Sequence, residues 1–341
     1  MARETELVVT GYGAYISKHQ GRLQVRREGE VEADAPLMYL RRVVVGTRAA
    51  SLSTGAIAAC CEHGIPVHLL DGMGRPYAAL YSVGLTGTVL TRREQLLAYR
   101  DGRSLALAKA WALAKIINQA RYVGYLARQR KARDEAVAIA LREGALVVAS
   151  HREEVRAVTG PSADACRERL LSAEGRAAKA YWSALAAVVP PDYGWPGRKH
   201  RGATDPINAC LNYGYGVLYG SVEQALLLAG LDPYGGYVHA DRPGKPSLVF
   251  DMIEPYRVPA VDRVVFGRLN RHVTIKMEDD GRLETETRRM VAQWVIDRLN
   301  QPVPYRRKKV VLRSVIQHQA RRMATYLRGE HAGFRAFHMR F

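Results

Sequence analysis

Acidic residues are in short supply in this sequence: 33 Asp and Glu stand against 51 Lys and Arg in 341 residues, a net charge of +18. Such a chain repels basic partners and attracts polyanions, meaning nucleic acid or an anionic membrane surface. Cysteine is also scarce. Cys60, Cys61, Cys166 and Cys210 show neither zinc-type spacing nor a disulfide framework, which excludes a disulfide-stapled scaffold and fits a reducing cytoplasm. No stretch reaches the roughly 18 uncharged apolar residues that a membrane span needs. The start, MARETELVV, has no apolar signal core. Internal repeats and low-complexity linkers are absent too, which excludes a repeat array.

Apolar residues make up 48% of the chain, enough for two packed cores at this length. The basic excess is uneven. Residues 1–90 hold nine Lys and Arg and eight Asp and Glu, whereas residues 301–341 hold ten Lys and Arg against Glu330 alone. The part beyond residue 90 is therefore expected to grip a phosphate backbone.

Along the chain, ELVVTGYGAYISKHQGRLQVRREGE has short β-rich runs broken by Gly11, Gly13 and Gly21, and LMYLRRVVVG adds a strand. SLSTGAIAACCEHG reads as a short helix capped by Ser53 or Thr54, with Gly64 past its end. IPVHLLDGMGRPYAALYS reads as strand, turn, strand, with the turn at Asp71-Gly72. Helical patterns then take over. Thr91 and Glu94 match a capping box, SLALAKAWALAKIINQARYVGYLARQRKA is long and amphipathic, and Pro190-Pro191 stop a later helix. The expected class is α+β. A small, mainly β N-terminal domain (residues 1–85), suited to dimerisation, precedes a larger all-α catalytic and DNA-binding domain (residues 86–341) with a basic C-terminal tail.

Within LLSAEGRAAKAYW, Glu174 falls on the apolar stripe of a helix that includes Leu170, Ala173, Ala177 and Tyr181. A carboxylate there is costly unless paired. An arginine such as Arg176 or Arg198 is one partner, a metal ion another. His239 follows a Gly-Gly turn in DPYGGYVHADRPGKP. In SLVFDMIEPYR, Asp251 and Glu254 are three apart and share a helical face among apolar neighbours, with Pro255 beside them. Taken singly, His239 reads as structural and the acids as a solvated face or a cap. Taken together, carboxylates and one imidazole suit Mg²⁺ or Mn²⁺ and phosphodiester chemistry.

Between these segments lies GRKHRGATDPINACLNYGYGVLYG. Arg198, Lys199 and Arg201 are clustered, Asp205-Pro206 starts a helix, and Asn208 and Tyr213 follow in its opening turns. With Arg257, these residues are candidates for holding a DNA backbone. A loop followed by a packed helix is the alternative.

In order, SAEGRAAKAYW, TDPINACLNYGYGVLYG and GLDPYGGYVHADRPGKPSLVFDMIEPYR resemble the CRISPR-associated integrase of the spacer-acquisition complex, over roughly residues 165–275. The resemblance implies a homodimer and a small ferredoxin-like CRISPR-associated partner. It also implies a metal triad of Glu174, His239 and Glu254, with Asp251 supporting the metal or holding a second one. The implied activity is metal-dependent insertion of double-stranded DNA fragments at a CRISPR repeat, by attack of a 3′-hydroxyl on a phosphodiester. A structure-selective repair nuclease, a transposon integrase or a non-catalytic nucleic-acid scaffold fits the same residues.

Overall fold

The computed structural model describes residues 5–82, 89–200, 202–239, 242–271 and 273–341. They fall into two compact units. The first comprises the N-terminal strand region with Lys199–Gly220 and Thr274–Asp297; the second holds the rest of the chain from residue 89. The boundary expected near residue 85 lies outside the described residues.

In the first unit, β1 (Thr5–Val9), β2 (Tyr15–His19), β3 (Arg22–Arg27) and β4 (Glu30–Pro36) precede β5 (Leu40–Val45) and β6 (Ser51–Leu52). Helix α1 (Thr54–Glu62), β7 (Val67–Leu70) and β8 (Pro76–Leu80) follow. The strands form two four-stranded sheets, ordered β1-β5-β7-β8 and β4-β3-β2-β6. Alternation selects the core: in β3, Leu23 and Val25 are buried while Arg26 is exposed. They pack with Ile16, Val43, Val45 and Val67. The hairpin turns Gln20-Gly21 and Glu28-Gly29 have positive φ at both central residues, the twist-matched geometry for which glycine is favoured second. Ser53 caps α1 by accepting from the Ala56 N–H at 3.1 Å, as its sequence indicates.

The second unit is helical. Its elements begin with α2 (Val89–Ala98), α3 (Gly102–Arg130), α4 (Glu135–Ala157) and α5 (Ala163–Ala186). Helix α6 (Pro206–Leu228) contributes its residues to Gly220 to the first unit and the remainder to the second. Next come α7 (Ser247–Arg257), a π-helical turn (Val258–Asp262) and α8 (Arg263–Leu269), followed by α9 (Thr285–Leu299), whose residues to Asp297 belong to the first unit. The chain closes with β9 (Pro302–Tyr305), β10 (Lys308–Val311) and α10 (Leu312–Leu327). The strand-rich region followed by a largely helical one agrees with the expected class. The β9–β10 hairpin is an addition, because Pro302 and Pro304 argue against a strand in sequence. The capping box is overturned. Helix α2 is already formed at Val89, the Thr91 hydroxyl accepts from Arg328 at 2.8 Å, and Glu94 pairs with Arg103 at 2.6 Å. Among the described residues, no helix is long and apolar enough to cross a membrane.

Candidate active site

Helices α3, α5 and α7 carry the acidic centre of the second unit, and α3 packs against both of the others. Pro255 does not end α7, contrary to what proline suggests; the helix runs on into the π-helical turn. A residue of α3 completes the turn. Pro259 has no N–H for the Pro255 carbonyl, so the buried Asn118 amide donates to it instead, at 2.6 Å. The Asn118 carbonyl oxygen accepts from the Met339 N–H at 2.7 Å, so the C-terminal tail is tied to the same point. Arg298 Nε donates to the Pro259 carbonyl at 2.9 Å. These bonds fix the turn that follows Glu254.

Glu174 on α5 and Glu254 on α7 converge on one cation, the ammonium of Lys115 on α3. Lys115 Nζ donates to Glu174 Oε1 and lies 2.6 Å from Glu254 Oε2. The three side chains are only 14%, 15% and 7% exposed, in the order Lys115, Glu174, Glu254. Arg257 Nε donates to Glu254 Oε1 at 2.9 Å. Burial raises the Glu254 pKa, but the charges of Arg257, Lys115 and His239 outweigh it and carry the pKa down to about 2. Burial likewise opposes the charged form of Lys115, and the two glutamates overcome it and raise its pKa.

Asp251 works differently. Its carboxylate accepts from the backbone N–H groups of Tyr237, Val238 and His239 at 2.6, 3.0 and 3.0 Å. Its Oδ1 also lies 2.7 Å from His239 Nδ1. With the proton on Nδ1, the other ring nitrogen, Nε2, is left to accept or ligate. Burial lowers the His239 pKa, while Asp251, then Glu254 and Glu174, raise it above the ordinary value.

The donors are the oxygens and the imidazole nitrogen that Mg²⁺ and Mn²⁺ favour. Glu254 Oε2 is buried, with the Lys115 ammonium 2.6 Å away as its charge partner. A cation already occupies the place between the two carboxylates, and a divalent ion suits the same donors. Among the described residues, no three His, Cys, Asp or Glu side chains stand close enough to share one ion. Lys115 holds the acids together instead.

The candidate DNA contacts separate. Lys199 is exposed, and the half-buried Arg198 lies over the Trp182 ring at 5.7 Å. Arg257 is bound to Glu254, and Arg201 lies outside the described residues. Asn208 and Tyr213 are corrected: both are fully buried. Asn208 bonds Asp205 and the Lys199 N–H at 2.8 and 2.9 Å, so it builds the start of α6. Tyr213 packs where Gly46 and Gly74 leave no room for a side chain. Neither offers a polar atom to a phosphate.

The model of the family described as CRISPR associated protein Cas1 matches residues 7–295. This chain belongs to that family. It is 37% identical over 336 residues to CRISPR-associated endonuclease Cas1 1 of Archaeoglobus fulgidus, spanning 95% of this chain and 96% of that relative. Among solved structures, a casposase bound to integration product superposes with a TM-score of 0.82 at 22% identity, covering 97% of this chain and 92% of that one. A Cas6-RT-Cas1–Cas2 complex matches with a TM-score of 0.78 at 22% identity, covering 99% of this chain and 36% of that one. These likenesses agree with the fold.

Sequence reading missed Lys115 and Asn118, although both carry the signal that exposed Glu174. Trp111, Lys115, Asn118 and Tyr122 follow one another at helical spacing, so two polar residues sit on the buried stripe of α3.

Proposed function

We propose that this chain is a divalent-metal-dependent DNA integrase and endonuclease of CRISPR adaptation. The reading rests on one observation: acids from two helices converge on a single buried cation beside an imidazole oriented by Asp251. Glu174, Glu254 and His239 would hold Mg²⁺ or Mn²⁺, which supplies charge neutralisation at a phosphate and makes the attacking oxygen more acidic. Asp251 keeps His239 in one tautomer, and Arg257 holds Glu254 ionised. The 3′-hydroxyl oxygen of a DNA fragment bonds to phosphorus at the repeat. The bond from that phosphorus to the repeat strand's 3′-oxygen breaks, and this oxygen leaves with a proton. Water in place of the hydroxyl gives hydrolysis.

The endonuclease relatives and the casposase neighbour support this reading, as does the basic surplus outside residues 1–90. Lys199 and Arg198 remain its DNA-facing candidates. A homodimer through the strand-rich region is part of the same proposal; Tyr12 and Met38, 83% and 76% exposed, offer apolar surface there. So is a small ferredoxin-like partner, supported by the neighbour that contains Cas2. The four cysteines are unpaired, in keeping with a reducing cytoplasm.

The test uses short duplex DNA with free 3′-ends, a supercoiled repeat-bearing plasmid and Mn²⁺ or Mg²⁺, with and without the small partner. Strand-transfer products are expected from the wild type and not from Glu174→Gln, with unchanged circular dichroism. No product with any divalent ion would favour a non-catalytic scaffold. Cleavage of branched DNA without insertion would favour a repair nuclease.

A further inference from the structure

Outside the acidic centre, the second unit carries an open cleft of about 630 Å³ between the β9–β10 hairpin, α10 and the C-terminal tail. Arg306, Arg307, Arg322, Arg335, Arg340 and His338 line it, and no acidic residue does. None of the five arginines forms an ion pair among the described residues. Arg306 lies over the Tyr305 ring at 5.6 Å. The wall beneath is fixed, with the Tyr305 hydroxyl accepting from Gln319 at 3.1 Å and the Phe337 ring 5.9 Å from that of Tyr256.

The hairpin turn gives a second, independent observation. Arg306 and Arg307 have φ of 47° and 63° between paired Tyr305 and Lys308. The same turn occurs twice in the first unit, each time with glycine second, Gly21 and Gly29. Here the favoured glycine is replaced by arginine, and the turn presents two guanidinium groups at its tip, both exposed. Strain retained where a smaller residue would relieve it marks positions held for another purpose. Lys308 and Lys309, both exposed, extend the positive surface along β10.

We propose that this cleft is a phosphate-backbone binding site for DNA, separate from the acidic centre. The inference rests on the DNA-handling reading above and adds to it a named contact surface. Guanidinium groups bond phosphate oxygens through paired N–H donors. A row of such groups, with lysines beyond it, matches a repeating polyanion better than a short acidic peptide. The binding is independent of base sequence.

The experiment measures anisotropy of a labelled short duplex with the full chain, from low to moderate salt. The variants are Arg306→Asn/Arg307→Gly, which supplies the turn's preferred residues while removing both charges, and Arg322→Gln/Arg335→Gln. Arg26→Gln, an exposed arginine of β3 outside the cleft, is the control. Each double variant is expected to lose affinity about tenfold, and its log affinity should fall less steeply with log salt by about 2, one unit for each lost phosphate contact. Arg26→Gln should bind like the wild type. Equal affinity and slope for wild type and both double variants would overturn the cleft assignment while leaving DNA binding itself intact. No DNA binding by the wild type would instead overturn the reading on which it rests. Polyglutamate titrated in the same way is the second probe: double variants that lose its binding while keeping wild-type DNA affinity would assign the cleft to an acidic protein and overturn the proposal.

Discussion

Glu174 and Glu254 meet their counter-ions inside the protein, whereas the five arginines of the hairpin cleft meet none among the described residues. Both places concentrate charge of one sign, yet their energetics differ. Two nearly buried carboxylates require cations within the fold, and Lys115 and Arg257 supply them. Exposed guanidinium groups are hydrated and screened, so they can stand together without partners. The acidic centre is therefore charge-balanced within the fold, and the cleft's guanidinium groups are left to solvent. Stability should respond strongly to changes at the first place and weakly at the second.

The largest effect should come from Lys115→Met. It leaves Glu174 and Glu254 facing each other without their shared ammonium, a loss of about 3–5 kcal/mol by the usual cost of breaking a buried pair. Urea unfolding without metal measures it, and Mn²⁺ should restore part of the loss. A change below about 1 kcal/mol would mean that the acids are not held by Lys115.

Asp251→Asn comes next. Three backbone donors and His239 converge on that carboxylate, and an amide cannot accept from all of them, so a loss of about 1–3 kcal/mol is expected. Mn²⁺ affinity should weaken by roughly 10–100-fold, as when a ligand's orienting partner is removed. Unchanged affinity would free His239 from its dependence on Asp251.

The pH response sharpens the contrast because arginines do not titrate in acid. The Glu254 pKa is depressed from 4.5 to about 2 in the folded protein. Its contribution to stability is therefore complete above its ordinary value and lost as pH falls through the window down to about 2. His239 acts in the opposite direction. Its raised pKa contributes stability below 6.5 that disappears as pH rises through the folded value. Unfolding free energies of metal-free wild type and Glu254→Gln across this range should converge in acid. Parallel curves would place the acid limb elsewhere.

The smallest effect should be a gain. Arg306→Asn/Arg307→Gly relieves two left-handed arginines and should stabilise the protein by about 1 kcal/mol. Chemical denaturation reads it, and a destabilised variant would show that the arginines support the hairpin.

Periodicity in the sequence exposed the strand-rich start, the long helices and Glu174 on a buried stripe. The spacing of Asp251 and Glu254 put both on one helix, and both are buried there. Three features needed the fold. Lys115 lies far from either acid in sequence, and its pairing exists only once three helices pack. Continuation of α7 past Pro255 depends on Asn118, a residue of another helix. The burial of Asn208 and Tyr213 follows from the packing of the first part of α6 within the first unit, which polar and aromatic composition alone does not reveal.

The proposed divalent-ion site is the carboxylate pair around Lys115, oriented with help from Asp251. Titration of Mn²⁺ into DNA-free protein, followed by electron paramagnetic resonance of the free ion, tests it directly in the wild type, Glu174→Ala, Glu254→Ala and Asp251→Ala. Saturable binding is expected in the wild type, none in either glutamate variant and weakened binding in Asp251→Ala. Wild-type affinity in both glutamate variants, or binding abolished by Asp251→Ala but spared by Glu254→Ala, would contradict it.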